Sequence, residues 1–228
     1  MTPRPPNFWR EARARFRLHW PLKTVGTTAA MTVFFVAYFW VLNHPAYPVT
    51  EMPPTALDAA IPFQPLALAP YASLWLYVSL APGLLTTRRA LAGYAAAATA
   101  LAVSGLTIFY FWPTAAPAVE LDLAATPALA FLKQVDATGN ACPSLHVAFA
   151  IFTALRLRAS LAELGASRRW HAGNALWAAL ITYSTLATKQ HVAIDAFAGA
   201  TLGALVAWGY TALGNTRRNC AASGNTAA

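Results

Sequence analysis

Two short segments stand out from a background of Ala and Leu. One reads Ala141-Cys142-Pro143-Ser144-Leu145-His146-Val147 and the other Thr188-Lys189-Gln190-His191-Val192-Ala193-Ile194-Asp195. Pro143 and Ser144 suit the first turn of a helix, where a missing N–H costs nothing and the exposed amides, with a Ser hydroxyl, make an anion site. His146 then lies about one turn inside that helix. His191 and Asp195 are four residues apart and share one face if a helix runs through them. Two chemistries fit two His, one Asp, a Ser and a nearby Lys. The three ionisable groups could ligate a metal as a facial triad. Alternatively, one His could attack phosphorus as a nucleophile while the other moves a proton. Only the phosphoryl reading gives Ser144 and Lys189 a task. The plain alternative, polar residues satisfied between helices, is the weaker one, because ionisable groups at membrane depth cost several kcal/mol.

The elements that must position these residues are membrane spans. The chain has 228 residues, of which 57% are hydrophobic and only 11% charged, with a mean hydropathy of +0.45; soluble domains carry charge on about a quarter of their residues. Disorder is excluded by the apolar content, and a disulfide-built secreted module by the presence of only two cysteines. An all-α, polytopic protein of six transmembrane helices of about 20 residues fits this length. Apolar stretches place them over 27–42, 66–85, 91–112, 145–155, 175–187 and 192–213. Asp195 is the only acid within them. Three regions result: a basic arm over 1–26, the six-span domain over 27–213, and a small polar tail over 214–228 that reads as disordered. Asn43-His44-Pro45 stands where a signal peptide would need small residues for cleavage, so the first span is retained.

Charge sets the orientation. If the spans alternate, one side collects Arg4, Arg10, Arg13, Arg15, Arg17, Lys23, Arg88, Arg89, Arg156, Arg158, Arg168, Arg169, Arg217 and Arg218, while the other has Lys133 and Lys189 alone. The acidic residues Glu51, Asp58, Glu120, Asp122, Asp136 and Asp195 fall on that second side. Basic loops stay in the cytoplasm, so both termini are expected there and the two chemical segments face outward. Topology also accounts for the net charge of +8 without a nucleic-acid partner. Cys142 and Cys220 lie on opposite sides, too far apart to pair. The expected location is a cell membrane, a bacterial inner membrane in particular, with the site facing the periplasm or exterior. Trp9, Trp20, Trp40 and Trp112 fall near span boundaries as interfacial anchors, and Gly199 and Gly203 form a close-packing pair in the sixth span.

The two segments resemble motifs of the type 2 phosphatidic acid phosphatases, whose second motif is Pro-Ser-Gly-His and whose third is Ser-Arg, five residues, His, three residues, Asp. Pro143-Ser144-Leu145-His146 is similar to the second, with Leu for Gly. Ser184, His191 and Asp195 keep the spacing of the third, with Thr185 in the place of Arg. The first motif, with its Lys and Arg, has no counterpart; the segment 111–118 carries no cation. These departures look like the phosphotransferase branch, the inositol phosphorylceramide and sphingomyelin synthases, and Asp58 to Pro65 and Pro70 to Leu74 look like that branch ahead of its second span.

The resemblance implies a lipid phosphatase or phosphotransferase acting at the outer leaflet on a lipid phosphate or phosphodiester. His191 would form a phosphohistidine, Asp195 would orient His191, and His146 would serve as acid and then base. Ser144 and Lys189 would hold the phosphate oxygens. No metal or other cofactor is implied, and the partners are the lipid substrate and membrane lipids. The competing readings are a proton-coupled transporter using the His/His/Asp cluster and an inactive scaffold of the same fold. A transport site belongs near the midplane, whereas these residues fall at the outer boundary.

Overall fold

The computed structural model describes residues 7–118 and 140–224, with side chains as far as Gly214. Arg4, Glu120, Asp122, Lys133, Asp136 and the last four residues of the tail lie outside the described residues. The chain is an all-α membrane protein. Helices α1 (Phe8–Arg17) and α2 (Trp20–Asn43) lead into a short α3 (Ala56–Ala60). A 3₁₀ turn (Pro65–Ala67), α4 (Leu68–Ala72) and α5 (Leu74–Gly83) follow, then α6 (Arg88–Phe111), α7 (Leu145–Glu163), α8 (Arg168–Ala187) and α9 (Ala193–Gly224). The backbone of α9 therefore continues eleven residues into the tail, to Gly224. One exception to the helical pattern is a parallel ladder of β1 (Thr50–Glu51) on β2 (Thr114–Ala115), in register Thr50 to Thr114.

Among the described residues five segments are long and apolar enough to cross a membrane: 20–43, 65–83, 88–111, 145–163 and 193–214. The first has the highest hydropathy of the five and yet only 6% of it is buried inside the protein. An apolar helix left uncovered by protein must be covered by lipid. The expected fifth span corresponds to α8. It has 20 residues, but Arg168, Arg169, His171 and Asn174 in its first two turns keep it below that apolar standard. The first span also starts earlier than its apolar run, at Trp20. Lys23 is accommodated inside it because its ammonium donates to the carbonyls of Arg15 (2.6 Å) and Gly83 (2.7 Å), at the carboxyl ends of α1 and α5.

Helix α7 is the hub, packed on α5, α6, α8 and α9. Its contact with α9 is the most extensive and depends on missing side chains. A Cβ on Gly199 would overlap the Ser144 carbonyl, and one on Gly203 the Ala148 carbonyl. The two backbones thus touch directly at the Gly199 and Gly203 pair. Trp9, Trp20, Trp40 and Trp112 are all exposed, as interfacial anchoring requires.

Candidate active site

The two segments meet where α7 and α9 begin. Ser144 is the N-cap of α7, and its hydroxyl accepts the Val147 amide at 3.3 Å. Its own N–H donates to the Asp195 carbonyl at 3.0 Å, tying the two helix starts together. The strand pair anchors the other side of this turn: the Ala141 amide donates to the Thr114 carbonyl and the Cys142 amide to the Thr114 hydroxyl at 2.7 Å. Pro143 precedes the cap and so stands two positions before the first helical residue, Leu145; the bond ahead of it is cis.

His191 and Asp195 are adjacent for a different reason from the one their spacing suggests. Helix α9 starts at Ala193, so His191 belongs to the preceding loop. The Asp195 carboxylate reaches back, accepting the Val192 amide at 3.0 Å, and its Oδ2 lies 3.5 Å from His191 Nδ1. Asp195 is fully buried and His191 nearly so. Neither Nδ1 nor the second carboxylate oxygen meets hydrogen-bond geometry, so the two side chains face each other at 3.5 Å without a hydrogen bond between them. With Nδ1 facing the carboxylate, Nε2 is the nitrogen left for substrate.

His146 sits in the first turn of α7, within electrostatic range of His191. Its Nε2 is 2.9 Å from the Tyr71 carbonyl, and its ring stacks on the Tyr71 ring at 4.0 Å with Trp75 edge-on. A carbonyl only accepts, so Nε2 carries a hydrogen and Nδ1 is the nitrogen available to a substrate. The break between α4 and α5 is where Tyr71 reaches this position. Cys142 adjoins the same corner. Burial first, and the neighbouring Asp195 charge second, push its thiol up to about 11, so it stays protonated.

Lys189 is drawn away from the cluster. It ends α8 in the left-handed region (φ 57°) that usually takes Gly, and its ammonium donates to the carbonyls of Asp58 (2.9 Å) and Ile61. These carbonyls lie at the carboxyl end of α3. The side chain of Asp58 completes the brace, accepting the amide and hydroxyl of Thr55 (2.7 and 2.8 Å) and the Ala193 amide (2.8 Å). The Gln64 amide adds a bond to the Ala187 carbonyl. The loop that carries His191 is therefore clamped from both ends by residues 55–64.

These commitments decide where an anion could bind. The amides leading into α9 are partly taken, that of Val192 by Asp195 and that of Ala193 by Asp58, whereas in the first turn of α7 Ser144 takes only the Val147 amide. An anion site thus remains at Leu145 and His146, where amides have no intrahelical acceptor. Ser184 and Thr185 are buried in α8 with their hydroxyls on its own carbonyls. Among the described residues no three His, Cys, Asp or Glu side chains converge as a metal site.

Tyr71, Trp75, Thr114 and the brace residue Asp58 were not singled out by chemistry in the sequence. Asp58 and Tyr71 fell within stretches marked only by family resemblance, and the physical signal for Asp58 was Thr55 three residues before it, the spacing of a capping box.

The chain is an all-helical membrane bundle with two imidazoles and a carboxylate gathered at adjacent helix starts. Its family is settled by comparison. The family model of the PAP2 superfamily matches residues 90–219, more than half of the chain, and the chain belongs to that superfamily. Membership points to phosphoric ester hydrolase or phosphotransferase chemistry. Comparison with curated proteins and with solved structures gives no match.

Proposed function

We propose that the protein transfers the phosphoryl group of a lipid phosphate or phosphodiester through a phosphohistidine on His191. The observation that carries this reading is the meeting of His191, Asp195 and His146 beside the uncommitted first turn of α7. His191 Nε2 attacks phosphorus and the bond from phosphorus to the lipid oxygen breaks. The departing oxygen takes a proton from His146. Asp195 faces Nδ1 and stabilises the positive imidazole that forms. Water or a second alcohol then gives its proton to His146 and attacks phosphorus, restoring His191. The amides of Leu145 and His146 hold the non-bridging oxygens, where a phosphoryl-transfer site gains most of its stabilisation.

The architecture proposed with it is six spans, α8 being the fifth, with both termini cytoplasmic in a bacterial inner membrane and the site facing outward. Thr185 in place of Arg, and the lack of a first-motif cation, favour an alcohol acceptor and the inositol phosphorylceramide and sphingomyelin synthase-like branch over simple hydrolysis.

The test is turnover of phosphatidic acid and of phosphodiester lipids by purified protein, with and without an alcohol acceptor. An acid-labile phosphoenzyme that disappears in His191→Ala is expected, together with activity that survives excess EDTA and is inhibited by vanadate. His146→Ala should lower turnover about 10²- to 10⁴-fold. Loss of activity in EDTA with rescue by zinc or manganese would overturn the mechanism.

A further inference from the structure

A second site lies at the other end of the bundle. From His146 to Glu163 α7 rises about 25 Å, and there a groove of about 820 Å³ opens between α6 and α9. That volume falls within the range of about 300–1,000 Å³ typical of ligand sites. Among the described residues its mouth carries Arg15, Arg89 and Arg156 against one carboxylate, Glu163. Arg15 is committed to Glu11 and Glu163 at 3.2 Å each. Arg156 is held in place without a carboxylate: Nη1 donates to the Thr211 hydroxyl at 3.0 Å and the guanidinium lies 4.2 Å over the Tyr210 ring. Neither Arg89 nor Arg156 has an acidic partner among the described residues. The stem of the groove is apolar and small, including Gly93, Ala97 and Gly209.

The glycines of α9 separate packing from cavity. Gly199 and Gly203 have no room for a Cβ, but at Gly209 and Gly214 a Cβ would meet nothing within 4 Å. Close helix approach therefore explains the first pair and leaves the second lining open space. This space sits where the spans of α6 and α9 end, at head-group depth. Uncovered apolar walls there are filled by acyl chains, and unpaired guanidiniums there select phosphate.

We propose that this groove holds one anionic phospholipid from the leaflet at the arginine-rich end. Its phosphate is bound by Arg89 and Arg156, and one acyl chain lies along Gly93, Ala97 and Gly209. The site is separate from the His191 centre and does not depend on the chemistry proposed there.

Full-length protein in dodecyl maltoside, titrated with phosphatidylglycerol or phosphatidylcholine of identical chains, tests it by native mass spectrometry and thermal melting. One phosphatidylglycerol should be retained and raise the melting temperature, with phosphatidylcholine about tenfold weaker. Arg89→Gln and Arg156→Gln should each weaken phosphatidylglycerol about tenfold. Gly209→Leu, which fills the stem and leaves both arginines in place, should abolish retention. Equal retention of the two lipids, or retention unchanged in both arginine variants, would overturn the site. So would stabilisation by soluble glycerol 3-phosphate equal to that by the lipid.

Discussion

The brace on the His191 loop makes a prediction that separates two roles for one lysine. In Lys189→Met the ammonium is removed and the carbonyls of Asp58 and Ile61 lose their donor. Hydrogen bonds to a charged group are worth about 1.5–3 kcal/mol each. Partial exposure and water replacement reduce the pair to about 2 kcal/mol of loop placement. At 25 °C this lowers the population with His191 beside Asp195 by up to about thirtyfold. If His191 is the nucleophile as proposed and the substrate is held at α7, the loss should fall on kcat with KM nearly unchanged. Asp58→Ala acts on the same loop by releasing the Ala193 amide and should reproduce the defect. The double variant should be worse than either single variant, since the two substitutions release opposite ends of the loop. Phosphate release from short-chain phosphatidic acid measures the kinetics. Hydrogen exchange over residues 187–193 reports the loop independently of turnover, with faster exchange expected in both variants. The reasoning is refuted if Lys189→Met raises KM with exchange unchanged while Asp58→Ala turns over normally; Lys189 would then serve the substrate.

The remaining predictions concern packing, the buried thiol and orientation. Gly203→Ala should cost about 1–3 kcal/mol, because its Cβ meets the Ala148 backbone and α7 and α9 must part. Gly26→Ala, with nothing within 4 Å, should be neutral or stabilising; thermal melting compares the two. Cys142 ionises near 11, so at pH 7.5 its thiolate fraction is on the order of 10⁻³ or less. Maleimide labelling of Cys142 in the folded Cys220→Ser variant should be negligible there and should rise about tenfold per pH unit up to that value; fast labelling of that variant at neutral pH would contradict the burial. Reporters fused to either terminus should behave as cytoplasmic, and periplasmic activity of an alkaline phosphatase fused after Leu213 would reverse the orientation proposed for the site.

Membrane residence, the helical class and the two polar segments that meet at the candidate site were legible in the sequence, because each rests on local quantities. Long apolar runs must satisfy their own backbone in lipid, and only a helix does so within one segment. The Gly199 and Gly203 pair announced close packing for the same local reason. What the sequence could not determine is which parts of the chain the fold brings to the site. His191 and Asp195 were legible as a pair by their spacing, yet the contact is made by a carboxylate reaching back to a loop. Lys189 looked like a phosphate ligand because it lay near the motif; its charge is consumed by α3, whose carbonyls come from more than a hundred residues away. Tyr71 reaches His146 across 75 positions in the chain, and Thr114 reaches Cys142 across 28. Helix α8 was legible as an element but falls short of the apolar standard, since its first turns carry charge. Hydropathy and periodicity are properties of neighbours along the chain, whereas the destination of a buried donor or acceptor is set by whichever helix the fold packs against it.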